Sequence, residues 1–379
     1  MAATRLARKR AHGFSLVELV ISMAVMALVM TGVLSVMLNA TRANDTIKLT
    51  TQTNNNLRVA MDLLVRDMLQ VGQGLPTGRV VGIPSGPGAL PVRRPGPLDP
   101  PGAPNTIVGE FDADLVALPA LTSGPGLGPA VSGQATDMIT TLAADSAFEG
   151  VRLSALTSTQ MTVVTSLDIS DSPDVARDNV QVGDLIMLTK QSMSTLKFVT
   201  GVENNVVRFA IGDPLNLNQT GAAVPGTLAH YVSLVPEVAA CELPPPNPCG
   251  QMVVPSVATR IRMISYYLDP VDTGQGLRLV RRINARPPTV VAFSVDRLSF
   301  SFDLIDDDAN PTAVPLDDAD LAGTGNCAPL PCSPNQARKV NVAMTGRSSR
   351  RHPQTGQFLR NTLSTQISLR SLALVDRYS

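Results

Sequence analysis

The chain has 379 residues, a mass of 40.0 kDa and 44% hydrophobic residues, which is enough for a core and more than one domain and excludes wholesale disorder. Its 31 Lys+Arg balance 31 Asp+Glu, so net charge alone excludes a strongly basic nucleic-acid binder or an acidic tail protein. With 9 Phe, 4 Tyr and no Trp, it is not built around aromatic platforms for stacking single-stranded nucleic acid or sugars.

Charge is unevenly placed from the start. The first 13 residues carry Arg5, Arg8, Lys9 and Arg10 and no acid, whereas Phe14 to Thr41 holds a single charged side chain, Glu18. Phe14 to Leu38 is a proline-free run of 25 residues. At ~1.5 Å per residue such a helix crosses a ~30 Å hydrocarbon layer. The basic side precedes it, so the N-terminus is expected in the cytoplasm and the remaining ~340 residues on the other side of the membrane. Removal of residues 1–13 would leave 27 basic against 31 acidic residues, a net charge of −4. A secretory signal peptide has an apolar stretch of only ~7–15 residues. An ordinary signal anchor fits the length but gives Glu18 no role. A deeply placed carboxylate costs roughly 2.5–3.5 kcal/mol on insertion scales, so a neutralising partner is expected.

The string Gly13-Phe14-Ser15-Leu16-Val17-Glu18-Leu19, after a short basic leader and before an apolar helix, resembles the class III signal of type IV pilins and type II secretion pseudopilins. That resemblance implies cleavage by a prepilin peptidase after Gly13 and methylation of the new amino terminus at Phe14. It also implies that Glu18 pairs with the N-terminal amine of a neighbouring subunit during assembly. Cleavage creates a cation, and stacked helices bring it to the carboxylate, so both charges are compensated inside the apolar bundle.

Beyond Leu38 the pattern stays helical but becomes amphipathic over residues 39–72. Ile47, Leu57, Met61, Leu64, Val65 and Met68 form one stripe, and Asp62 and Arg66 make an i,i+4 pair on the polar side. With no proline before Pro76, and Gly32 the only glycine between Phe14 and Val71, a near-continuous helix is predicted. Thr50 to Asn56 (TTQTNNN) is its weakest stretch, where a fray or break is expected, since Thr and Asn are poor helix formers. Major pilins often carry a proline in the apolar helix; this chain has none, so local unwinding is not carried over. Residues 73–135 then hold 24 Gly+Pro in 63 positions, which excludes a regular helix or a central strand there. The run Gly124-Pro125-Gly126-Leu127-Gly128 superficially resembles a phosphate loop but lacks the Lys-Ser/Thr that would follow.

From about Asp137 the period shifts to two. Strands are predicted at 161–167, 185–189, 196–202, 206–211, 260–268, 277–283, 290–293, 298–304 and 340–344, with a final pair of stretches within 363–374. Without strand–helix alternation, the sheet is expected to be antiparallel. The fold class is α+β: a long N-terminal transmembrane and amphipathic helix, then a β-rich head. The stretch ISYYLDP…GLRLVRRI…VAFSVDRLSFSFDL with STQISLRSLAL is similar, over about 120 residues, to the heads of PilW-type minor pilins and of the J-type minor pseudopilin. The expected organisation is 1–13 leader, 14–38 membrane span, 39–72 amphipathic helix, 73–135 irregular segment, 136–258 inserted β subdomain and 259–379 pilin-like head.

The four cysteines come as Cys241…Cys249 and Cys327…Cys332, two pairs enclosing short proline-rich loops. An even count in an exported domain favours disulfides; of three connectivities the two local ones are preferred. A four-cysteine zinc site is the weaker alternative because the spacings are unlike zinc knuckles. Two histidines follow the leader, His230 and His352, far apart, and no HExxH, GxSxG or Cys–His signature accompanies them. No enzyme, cofactor or metal is expected. Asp303, Asp306, Asp307 and Asp308 read as a solvated turn sooner than a calcium loop. Residues 338–379 carry a net charge of +7; charged loops flanking a strand pair are preferred there over contact with DNA or an anionic surface.

Together these readings, with the resemblance, imply a minor prepilin that primes or caps a type IV pilus or pseudopilus by helix-bundle assembly, its head at the tip. The implied partners are the prepilin peptidase, other minor pilins, the major pilin and the inner-membrane assembly platform. A tip adhesin binding a ligand or DNA is the alternative from another class.

Overall fold

One α-helix, α1 (Leu16–Met68), runs unbroken for 53 residues. The computed structural model describes residues 15–76, 78–96, 109–112, 115–131, 133–164, 180–234, 256–270, 276–304, 316, 320, 336–352 and 354–373. The weak stretch at 50–56 stays helical. Its threonine hydroxyls fold back on the preceding turn, Thr50 Oγ1 donating to Thr46 O and Thr53 Oγ1 to Leu49 O, both at 2.9 Å, which satisfies the hydroxyls but does not by itself favour the helix. The asparagines are held from outside: Asn56 Nδ2 donates to Phe293 O at 2.6 Å, and Asn361 Nδ2 to Asn54 Oδ1. Tertiary contacts therefore override a poor local propensity. The helix ends where Gly72 takes φ +75° and its N–H bonds Leu142 O at 2.9 Å, turning the chain onto the sheet.

Residues 73–135, expected to be irregular, contribute short strands: β1 (Val80–Gly82) pairs with β2 (Ala117–Pro119), and β3 (Leu121–Gly124) with β4 (Met138–Ala144). The Gly124–Gly128 run is the turn out of β3, with Gly126 N–H on Asp137 Oδ1 at 3.0 Å. Next come β5 (Val151–Leu156), β6 (Gln160–Val163), β7 (Leu185–Lys190), β8 (Met193–Phe198), β9 (Gly201–Glu203) and β10 (Val206–Arg208). The predicted strand over 196–202 is split, because β8 pairs with β7 whereas β9 pairs with β10 across Asn204-Asn205, Asn204 having φ +50°. A short helix, α2 (Leu228–Leu234), was not predicted.

The longest strand of this sheet, β11 (Val257–Pro270), organises it. It pairs with β7 and then β12 (Leu277–Ile283) along one edge, and with β5 and then β4 along the other; β13 (Thr289–Phe293) continues beyond β12. The expected boundary at 258/259 falls inside β11, and β4 from before it pairs with β11 after it. The β7 segment Leu185-Ile186-Met187-Leu188 is buried on both faces, Leu185 and Met187 in the main core, Ile186 and Leu188 in a second core with Leu153, Met161, Val207 and Tyr231. The second core is thus built on the back of the same sheet.

A single residue, Ser294 (φ +56°), separates β13 from β14 (Val295–Leu304) and takes the chain into a separate three-stranded antiparallel sheet, β14-β15-β16. Its members β15 (Ala337–Arg351) and β16 (Phe358–Ser368) are longer than predicted. In place of a second strand within 363–374, a turn of helix, α3 (Arg370–Ala373), follows Ser368. This sheet alternates cleanly: Leu298, Phe300 and Phe302 of β14 with Val340, Val342 and Met344 of β15 join the core under α1. The architecture is α+β, with all strand pairings among the described residues antiparallel.

Candidate functional site

Residues 15–45 are exposed in the folded chain, including the large apolar side chains Leu16 (78%) and Leu28 (74%). No part of the described head covers them, and among the described residues α1 is the one helix long and apolar enough to cross a membrane. Such a surface is stable only in lipid or against other apolar helices. Gly13 and Phe14 lie outside the described residues. Glu18 lies in the first turn, where the Ser15 backbone N–H donates to its Oε2 at 3.4 Å. A carboxylate at a helix N-terminus is favoured by the orphan amides there. One long hydrogen bond leaves most of its acceptor capacity for a donor from another chain.

The second half of α1 is joined to the head by packing and by one buried charge. Leu57, Met61, Leu64 and Met68 are buried, as the stripe predicted, and Ala60 is buried beside them, while Val65 is half-buried. Ile47 departs from the prediction and is exposed; among the described residues, the contact at that height is between Thr46 and His352, in the hairpin between β15 and β16. Asp62 and Arg66 lie on the exposed side, as read. Asp67, one turn on from Leu64, faces inward and is 7% exposed. Arg281 grips it with Nε on Oδ2 at 2.6 Å and Nη2 on Oδ1 at 3.1 Å, and Tyr266 Oη donates to Oδ2 at 2.6 Å. Tyr266 and Arg281 are direct cross-strand partners in the β11–β12 ladder, which sets both donors at one spot. Burial, reinforced by Asp67, pushes the Tyr266 phenol far up. Burial pulls the Arg281 guanidinium down, but the hydrogen bonds and charge of Asp67 outweigh it and leave it raised. The sequence reading missed this clamp, although an acid in phase with an apolar stripe was the available signal.

A close approach at Gly346 completes the seating: a Cβ there would stand 2.9 Å from Leu57 Cδ2. A second buried cation, Lys197, donates to Leu217 O at 3.0 Å and Gly226 O at 2.8 Å. Burial lowers its ammonium to about 7, with Asp213 opposing. Asp213 in turn accepts from the amides of Leu215, Leu217 and Asn218, so Lys197 and Asp213 order the 210–227 segment rather than face solvent.

The remaining candidates are dispersed. Cys241, Cys249, Cys327 and Cys332 lie outside the described residues, as do Asp306, Asp307 and Asp308. Asp303 accepts from Asn341 Nδ2 at 2.7 Å and Gln366 Nε2 at 2.9 Å and lies 3.6 Å from Lys339 Nζ, on the outer face of the three-stranded sheet. His230 Nδ1 lies 2.8 Å from Ala222 O, whereas His352 Nε2 lies 2.9 Å from Thr46 Oγ1 on α1. Among the described residues no cluster of three His, Cys, Asp or Glu is placed to hold a metal.

Comparison with known families bears on the N-terminal segment. Residues 8–34 match the family model described as the prokaryotic N-terminal methylation motif. No curated protein and no solved structure matches the chain. The chain therefore carries a type IV pilin-like prepilin signal at the start of an exposed apolar helix. That motif implies processing by a prepilin peptidase and assembly with pilus components.

Proposed function

We propose that this chain is a minor prepilin of the PilW/J type that primes or caps a type IV pilus or pseudopilus. The observation that carries the reading is the combination of the methylation motif at 8–34 with an apolar helix half left bare by its own head. In this reading the protein works by assembly and not by catalysis. The prepilin peptidase cuts after Gly13 on the cytoplasmic face, and Phe14 becomes the methylated terminus. Glu18 then takes up the terminal amine of an adjacent subunit as the helix enters the bundle. Other minor pilins, the major pilin and the inner-membrane assembly platform are its partners. The head stays on the periplasmic side until the filament forms and then occupies the tip, where Cys241–Cys249 and Cys327–Cys332 disulfides close two of its loops. Size favours a role at the end of a filament. A head of some 300 residues repeated at every step would crowd its neighbours, and at the tip it need be accommodated only once.

Two measurements test this. Intact-mass analysis of the membrane form should give a chain beginning with methylated Phe14, and Gly13 replaced by a bulky residue should retain the leader. Deletion of the gene should reduce filament number or secretion; filaments and secretion at wild-type levels would refute the priming role.

A further inference from the structure

The turn between β15 and β16 carries positive charge that no carboxylate among the described residues pairs with. Residues 337–373 contain seven Lys and Arg and no Asp or Glu. Three of the seven are taken up in the head: Arg347 and Arg360 lie 3.5 and 2.9 Å from Asp296, and Lys339 is near Asp303. Arg350 and Arg351 at the end of β15 are exposed and have no carboxylate partner among the described residues.

The turn is held in place. His352 N–H bonds Gln357 O at 2.7 Å, Gly356 N–H bonds His352 O at 2.9 Å, and Leu359 N–H bonds Ser348 Oγ at 3.0 Å. Arg347 and Arg351 stack on the Phe358 ring, 4.4 and 5.3 Å from its centre. The Gln354 backbone N–H donates to His352 Nδ1, which assigns the ring proton to Nε2 as donor to Thr46 Oγ1, and the Thr46 hydroxyl in turn donates a hydrogen bond to Arg42 O at 2.9 Å. This chain of bonds fixes the height of the turn on α1. An open cleft there is lined by Asp45, Lys48, Leu49, Ser349, Arg350 and Arg351.

That height is informative. Thr46 lies eight residues past Leu38, the end of the apolar run. Eight residues of helix rise ~12 Å, whereas the headgroup layer extends ~5–8 Å beyond the hydrocarbon on each side. Arginine side chains at Thr46 therefore come within a Debye length, ~8 Å, of the headgroups. Exposed Arg42 and Lys48 add charge on the same stretch, and Asp45 is the one acid there.

We infer that the β15–β16 turn, through Arg350 and Arg351 with Arg42 and Lys48, docks on anionic phospholipid headgroups at the outer face of the membrane that α1 spans. The inference rests on that span but not on any role in a filament. A lipid surface is the partner chosen over DNA because the charge points to the end of the head from which the membrane helix emerges. While α1 spans the membrane, this contact sets the tilt of the head over the bilayer.

The test places the full chain in phospholipid nanodiscs of phosphatidylcholine alone or of an equal mixture with phosphatidylglycerol. Hydrogen exchange is followed at His352, Gly356 and Leu359. Exchange there should be about fivefold slower or more in the anionic discs. High salt, or Arg350→Gln with Arg351→Gln, should abolish the difference while leaving the β14 amides unchanged. Equal exchange in the two lipids would overturn the inference. So would slowing by an added DNA duplex in neutral discs without slowing by phosphatidylglycerol, which would make the patch a nucleic-acid site. A chain that fails to co-elute with the discs would overturn the span itself, and this contact with it.

Discussion

Replacing Arg281 by alanine isolates the energetics of the joint between helix and head. The carboxylate of Asp67 has 7% side-chain exposure and the guanidinium 17%, so neither is well solvated. Arg281→Ala leaves a buried charge with one donor, the Tyr266 hydroxyl. Stripping one member from a buried pair costs about 3–5 kcal/mol, and the partial exposure of Arg281 argues for about 3. That is roughly a hundredfold in the folding equilibrium. The decisive comparison is Asp67→Leu with Tyr266→Phe and Arg281→Met, which removes all three polar groups together and leaves none unpaired. Apolar replacement of a whole buried network is often neutral or better, so this variant should stay within about 1 kcal/mol of the parent. Urea unfolding of the detergent-solubilised chain, followed by far-ultraviolet circular dichroism of the β-rich head, reads both. A loss below about 1 kcal/mol for the single variant, or an equal loss for the triple one, would refute the view that Arg281 acts by neutralising Asp67.

Three further outcomes are expected. Gly346→Ala drives a methyl against fully buried Leu57 and should cost about 1–3 kcal/mol in the same unfolding assay, a cost that Leu57→Val should partly relieve. Lys197, its ammonium held near 7 by burial, binds fewer protons folded than unfolded between that value and the ordinary lysine value of 10.5. Stability of the parent should therefore rise with pH across that window relative to Lys197→Met; parallel stability profiles would count against the buried cation. Glu18→Ala should be cleaved and methylated normally but enter filaments poorly, as read by comparing processed protein in the membrane with protein in sheared filaments.

Several features follow from residues acting over a few turns of chain. The basic leader, the 25-residue apolar run and Glu18 in its first turn need no fold to be recognised, because a membrane span and a processing signal are local in sequence. The stripe from Leu57 to Met68 and the strand period likewise report which faces are buried. Local propensity misjudged the helix at 50–56, since Asn54 and Asn56 are held by Asn361 and Phe293, more than two hundred residues away. It also took 363–374 for two strands where β15 pairs with one.

What distant residues make together only the tertiary structure decided. Asp67 reads as one more polar residue in a helix until β11 and β12 set Tyr266 and Arg281 opposite it. The arginines at 350 and 351 read as loop charge until His352 ties their turn to Thr46. In both cases the physics depends on distance and burial between segments separated by some two to three hundred residues. Composition and periodicity carry no information about that separation, and strand register and helix seating supply it.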